Sequence, residues 1–101
     1  MKTAYPVIFT KLTKGYATYA PDFPFDTQGC DLADATEMAR DAMGIMGVDM
    51  EDSQKPLPKP SDHNTLICNA DEFVSMVDID FTAYRTENER LAAFEYATTV
   101  I

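Results

Sequence analysis

The feature that most constrains the fold is an alternating run late in the chain, "DEFVSMVDIDFTAY", residues 71–84. Successive side chains of a strand point to opposite faces of a sheet, so every second residue shares one face. One such set is almost wholly apolar and should face a core: Phe73, Ser75, Val77, Ile79 and Phe81. The run therefore predicts a half-buried strand that needs partner strands from elsewhere in the chain.

The partner strands are predicted near the N-terminus. "AYPVIFTKL", residues 4–12, is rich in β-branched and aromatic residues, and "YATYAPD", residues 16–22, follows the turn "TKG". Gly15 in that turn can take a positive φ. A short third strand is predicted around residues 25–28. Alternation groups the side chains that share a face of their strand: Tyr5, Val7 and Phe9 in the first strand, Tyr16 and Thr18 in the second.

The clearest helix is predicted in "CDLADATEMARDAMGIMG", residues 30–47. Asp31 suits the N-cap, and Asp34 adds negative charge to the first turn, where the helix dipole favours it. Glycines 44 and 47 are expected to weaken the end of this helix. The polar, proline-containing residues 48–65 predict a loop. The apolar positions at helical spacing form one stripe: Leu32, Ala35, Ala39, Ala42, Met43 and Met46.

The order of these elements predicts one α+β domain over residues 1–101. We expect a small antiparallel sheet of three to four strands, with one helix packed on it and a C-terminal helix over residues 86–101. Thr86 and Glu89 have the spacing of a capping box at the start of that last helix. A chain of 101 residues is close to the commonest domain size.

The predicted C-terminal helix is apolar on most of its sides. It therefore needs two surfaces to bury against, and two roles stay open: a lid on its own core or a clasp between subunits of a dimer or tetramer. Its acidic character makes it a poor reader of the DNA major groove. The residues predicted at an oligomer interface are Leu91, Phe94, Tyr96 and Ile101.

Candidate catalytic and metal-binding residues are few. His63 is the only histidine, and the isolated Cys30 and Cys68 are expected to be reduced, partly buried thiols, so neither a metal nor a cofactor is predicted. Asp78 and Asp80 share a face of their strand and, with Glu37, could hold Mg²⁺ in a nuclease. We rank that alternative below a solvated sheet face, so the chain is not expected to be an enzyme.

Charge and hydropathy restrict the classes of partner and the cellular compartment that we expect for this protein. Seventeen acidic against eight basic residues give a net charge of −9, which repels nucleic-acid phosphates and suits either solubility alone or a basic protein partner. No apolar run approaches the ~20 residues of a membrane span. The N-terminus lacks the features of a signal peptide. The protein is therefore expected in the cytoplasm.

Several segments, taken in order, resemble the HicB-like antitoxin family of bacterial toxin–antitoxin pairs. The resemblance covers residues 4–84, and the order of the segments is more specific than any one of them. The segments are "YPVIF" (5–9), "PDF" (21–23), "TQG" (27–29), "LADA" (32–35) and "VSMVDIDFTAY" (74–84).

The resemblance implies a partial RNase H-like fold without the catalytic carboxylates of true nucleases. It also implies an antitoxin that binds and neutralises a small basic HicA-type toxin, an mRNA-cleaving ribonuclease. Many family members continue into a DNA-binding domain, whereas the acidic and apolar residues after Arg85 make DNA binding unexpected here. The alternatives are an orphan oligomeric HicB-like protein without a toxin and, ranked lower, the metal-dependent nuclease. The predicted partner contacts are Asp22, Phe23, Asp26 and Gln28.

Overall fold

A computed structural model of this protein describes residues 2–66 and 68–87. Within these residues the chain forms a four-stranded antiparallel sheet, a long helix and a helical segment at residues 81–87, which confirms the predicted α+β class. The elements are β1 (Lys2–Lys11), β2 (Tyr16–Tyr19), β3 (Asp26–Gly29), α1 (Leu32–Asp52), a 3₁₀ turn (His63–Thr65), β4 (Glu72–Asp80) and the helical residues 81–87, here called α2.

The late strand β4 lies beside the first strand of the chain. The strand order is β3-β2-β1-β4, and β4 pairs with β1 from Lys2↔Asp80 to Thr10↔Glu72. The hairpin of β1 and β2 has the register Phe9↔Thr18, and β3 continues it with Thr18↔Thr27. The two edges of the described sheet are therefore β3 and β4.

One face of the sheet packs against α1 and forms the core, as the alternation predicted. We call it the inner face. Phe73 departs from the pattern, because it is 39% exposed although its ring stacks on Phe9 with centroids 5.2 Å apart. The residues of this core are Tyr5, Val7, Phe9, Ala20, Phe23, Ala35, Ala39, Met43, Val77, Ile79 and Phe81.

Helix α1 begins as predicted and ends later than predicted. The Asp31 carboxylate accepts a hydrogen bond from the Asp34 amide at 2.8 Å, which confirms the N-cap. The helix then passes through Gly44 and Gly47 and continues to Asp52, so the prediction that these glycines weaken its end is wrong.

Both glycines serve close packing between α1 and α2. A Cβ atom at Gly47 would lie 2.1 Å from Cε1 of Phe81, and one at Gly44 would lie 2.6 Å from the Tyr84 ring. Such distances are far below van der Waals contact, so only glycine lets these rings approach the helix backbone. The low helix propensity of glycine is thus outweighed by tertiary packing.

The boundary between β4 and α2 corrects two further predictions. The strand ends at Asp80, and residues 81–87 are helical, whereas the sequence predicted a strand as far as residue 84 and a helix from residue 86. The Asp80 carboxylate accepts a hydrogen bond from the Ala83 amide at 3.0 Å and so caps the helix, which places Thr86 inside it. Glu89 and the predicted interface residues lie outside the described residues: Leu91, Phe94, Tyr96 and Ile101.

Residues 53–62, the proline strap, connect α1 to the 3₁₀ turn. The Tyr5 hydroxyl donates a hydrogen bond to the Pro58 carbonyl at 2.8 Å, which ties the strap to the core. Burial of Tyr5, with a smaller contribution from the charge of Asp22, raises the pKa of its phenol. Both cysteines are free, Cys30 exposed and Cys68 half-buried. Among the helices described, none has the length and apolar character of a membrane span.

Candidate functional site

The strand register divides the predicted partner contacts into two pairs. Asp26 and Gln28 of β3 lie opposite Tyr19 and Ala17 of β2, respectively, whereas Thr27 lies opposite the buried Thr18 on the inner face. Asp26 and Gln28 therefore project from the side of the sheet away from α1, which we call the outer face, and both are exposed.

Asp22 and Phe23 belong to the connection after β2 and have structural contacts. The Asp22 carboxylate accepts hydrogen bonds from the Ser61 amide at 2.9 Å and the Ser61 hydroxyl at 2.5 Å, so it anchors the proline strap. Phe23 is 1% exposed, and its ring meets that of Tyr5 edge-on at 4.9 Å. Phe23 thus lies in the core, whereas Asp26 and Gln28 lie on the surface, so the structure does not bring the three side chains together on one exposed face.

The outer face carries a group of apolar side chains that the sequence analysis did not single out. The register aligns Tyr19, Ile8 and Val74 across three strands, and it sets Pro6 opposite Met76 one step further along. Tyr19 is 49% and Met76 44% exposed, while Pro6 is buried. We call these five residues the outer patch. The continuous run "YPVIF" was the available signal, since it places apolar residues on both faces of β1.

Carboxylates surround the outer patch on the same face. Glu72, Asp78 and Asp80 lie along β4, and Asp26 lies on β3. Glu72 accepts hydrogen bonds from the Thr10 hydroxyl at 3.1 Å and the Asn69 amide at 2.9 Å. We call these four carboxylates the acidic rim.

Two residues of the acidic rim have depressed pKa values. The hydrogen bond from Arg40 is the main cause that lowers the pKa of Asp78, and the nearby charges of Arg40 and Lys2 act in the same direction. The backbone amide of Ala83 is the main cause that lowers the pKa of Asp80. Both carboxylates therefore remain ionised near neutral pH.

Two of the three carboxylates considered for a metal-dependent nuclease, Asp78 and Glu37, bind the same arginine. Arg40 extends from α1 around the free edge of β4, where its Nε donates to the Asp78 carbonyl at 2.9 Å and its Nη2 to the Asp78 carboxylate at 3.0 Å. The same guanidinium binds Glu37. Asp78 and Glu37 thus share a protein cation, which uses part of their capacity to coordinate a metal ion. In residues 2–66 and 68–87, no three His, Cys, Asp or Glu side chains converge as a metal site.

Comparisons with known proteins agree with the fold predicted from the motifs. No family model matches the chain, and no curated protein matches its sequence. A chain of a toxin–antitoxin complex from Streptococcus pneumoniae is similar in structure, with a TM-score of 0.74, 29% identity, and coverage of 83% of this chain and 73% of that one. A chain of the HicA3 and HicB3 toxin–antitoxin complex has a TM-score of 0.62 and 25% identity, over 77% of this chain and 99% of that one.

These likenesses define the class of fold. The chain has a HicB-like antitoxin fold, as the order of its motifs over residues 4–84 predicted.

Proposed function

We propose that this protein is an antitoxin that binds and neutralises a small basic HicA-type toxin, an mRNA-cleaving ribonuclease. The observation that carries the proposal is the fold, because chains of two toxin–antitoxin complexes share it. Fold alone does not define function, so the charge and the surface have to agree with it.

The charge of the chain supports a basic partner. Its net charge of −9 attracts a cationic protein at long range and so increases the rate at which the two proteins meet. Asp22, Asp26 and Gln28 remain the proposed partner contacts, with Asp26 and Gln28 exposed on the outer face. Phe23 would act indirectly, since its buried ring supports the connection that carries Asp22. Neutralisation by binding requires no catalytic residue and no cofactor, and it would take place in the cytoplasm, where mRNA is cleaved.

A homo-oligomer is proposed together with this function. The apolar residues Leu91, Phe94, Tyr96 and Ile101 would form either a lid on the core or a clasp between subunits. Size-exclusion chromatography with light scattering separates the two roles: Phe94→Glu is expected to reduce the mass of an oligomer held by a clasp. An unchanged mass with an intact fold would favour the lid.

Co-expression with the product of the adjacent reading frame tests the antitoxin function. We expect that product to be small and basic, to arrest growth when expressed alone, and to be harmless when this protein is expressed with it. Purified, it should cleave mRNA, and an equimolar amount of this protein should stop the cleavage. An adjacent product that neither binds this protein nor arrests growth would favour the orphan oligomer instead.

A further inference from the structure

We propose that the basic partner docks on the outer face of the sheet, with the outer patch at the centre of the contact and the acidic rim around it. The inference rests on the proposed partner-binding function and adds the surface that performs it. The outer patch comprises Pro6, Ile8, Tyr19, Val74 and Met76, and the acidic rim comprises Asp26, Glu72, Asp78 and Asp80.

The outer patch is contiguous because the strand register makes its members neighbours. Directly opposed residues of antiparallel strands have Cβ atoms ~4.5–5.5 Å apart, so Tyr19, Ile8 and Val74 form one row across the sheet. Met76, on the same strand as Val74 and two residues later, extends the row along β4. Tyr19 and Met76, at 49% and 44% exposure, present large side chains of the kind enriched in protein interfaces.

The acidic rim gives this surface the polarity of an interface for a cationic protein. Interfaces commonly combine an apolar centre with a polar periphery. Four carboxylates surround the outer patch, and within residues 2–66 and 68–87 the side-chain cations paired with them are Lys2, 3.5 Å from Asp78, and Arg40 at the edge of β4. The balance is acidic, and Asp26 is exposed at the end of the row that contains Tyr19.

Two other occupants fit this surface less well. In a symmetric contact between two copies, the same patch faces itself, so the acidic rims would meet and repel each other. The protein's own α2 packs over residues 81–87 against Gly44 and Gly47 of α1, which lies on the other side of the sheet. A basic partner with an apolar patch of its own could cover the outer patch and also pair its positive charges with the acidic rim.

The exposed side of α1 provides a matched control. Ile45 is 55% exposed and Met38 43%, values similar to those of Tyr19 and Met76. They lie on a helix on the opposite side of the molecule from the outer patch. A substitution of Ile45 therefore removes exposed apolar surface, as substitutions of Tyr19 and Met76 do, but it lies outside the proposed contact.

The test measures binding of the full-length protein to the purified small basic protein of the adjacent reading frame by biolayer interferometry. Tyr19→Glu and Met76→Glu, on two different strands, are each expected to raise the dissociation constant at least tenfold, because substitutions at the centre of an interface typically cost the most binding energy. Ile45→Glu should bind like wild type.

The acidic rim is tested through the rate of association. Asp26→Lys should slow association and reduce the dependence of its rate on salt. The exposed helix variant Asp49→Lys changes the net charge equally and should have a smaller effect on both. Circular dichroism checks that each variant is folded.

The possible outcomes distinguish a failure of the proposed docking surface from a failure of the proposed antitoxin function. If wild type binds and both outer-patch variants bind equally well, the surface assignment is overturned while the antitoxin proposal stands. A loss of binding in Ile45→Glu alone would move the contact to α1 and overturn it as well. If wild type itself does not bind, the proposed function fails and the surface proposal fails with it.

Discussion

The two faces of the sheet are built from neighbouring residues of the same strands, yet they differ in how they are covered. On the inner face, Tyr5, Val7 and Phe9 are buried in the core. On the outer face, Ile8 lies between Tyr19 and Val74, and Tyr19 and Met76 keep nearly half of their surface exposed. The inner face is therefore set by packing within the chain, whereas exposed apolar residues such as Tyr19 and Met76, when they form one contiguous patch, are typical of a surface that a partner covers.

Because the two faces are covered differently, aromatic residues of similar size on the two faces should differ greatly in their contribution to stability. Phe23→Ala removes a core ring that is 1% exposed, and we expect it to lower the free energy of unfolding by about 3–5 kcal/mol. That loss approaches the whole stability of a typical domain, about 5–15 kcal/mol. Chemical denaturation followed by circular dichroism measures it.

Tyr19→Ala is the matched control on the outer face. Its ring is about half exposed, so the free energy of unfolding should change far less than in Phe23→Ala, by about 0.5 kcal/mol. Equal losses in the two variants would mean that the outer face is packed as tightly as the inner one, and the distinction between the faces would fail.

The same comparison shows which parts of the fold follow from sequence. The alternation of β1 and β4 predicted the inner face, and the cap at Asp31 predicted the start of α1, because both depend on residues close together in the chain. The end of α1 was missed because Gly47 packs against Phe81, a contact between residues far apart in sequence. The boundary at Asp80 was missed although its capping aspartate is local, because Phe81 also fits the alternation.

The candidate site was predictable only in part for a related reason. Asp26 and Gln28 lie in a segment that carries the family resemblance, but their placement beside Tyr19 depends on the register of β3 with β2. Met76 reaches the outer patch only through pairing with Pro6, seventy residues earlier in the chain. The resemblance alone gave no reason to separate the buried Phe23 from the exposed Asp26.

A second prediction tests the close packing beneath the inner face. Gly47→Ala should gain about 1 kcal/mol of helix propensity but lose about 1–3 kcal/mol to overpacking, because its Cβ would lie 2.1 Å from Phe81. We expect a net loss of up to about 2 kcal/mol in the free energy of unfolding, measured by urea denaturation. In the double variant with Phe81→Leu, part of the loss should be recovered, since the smaller side chain leaves room. A stabilised Gly47→Ala protein would contradict the packing.

A third prediction concerns the proline strap at the margin of the inner face. Tyr5→Phe keeps the buried ring and removes the hydrogen bond to Pro58, so unfolding should become easier by about 1 kcal/mol. Hydrogen exchange should also accelerate locally at residues 55–61. Tyr19→Phe, which removes a hydroxyl from the outer face, is the control and should leave exchange of the strap unchanged. Uniform acceleration throughout the chain would indicate global destabilisation instead of a released strap.

A fourth prediction uses the titration of Asp80 at the junction of the sheet and α2. Its pKa is lower in the folded protein, so its charge contributes stability above the ordinary value of 3.8, and that stability is lost as the pH falls through the folded pKa. Asp80→Asn keeps an N-cap acceptor and removes the charge. We therefore expect a slightly lower Tm near pH 7 and a shallower fall of Tm as the pH drops from about 5 through the folded pKa. Asp49→Asn, on the exposed side of α1, removes the same charge and is the control for net charge.

The smallest effect on stability is expected at the centre of the outer face. Met76→Glu places a charge at a position that is 44% exposed, and Arg40 approaches the same strand at Asp78, two residues away. The free energy of unfolding should therefore change by no more than about 0.5 kcal/mol, which urea denaturation can verify. Val77→Glu, the next residue on the opposite face, is the control and should prevent folding, because it buries an unpaired carboxylate at 1% exposure. If Met76→Glu were as damaging as Val77→Glu, the outer patch would be a second core, and an uncovered docking surface would no longer explain its apolar residues.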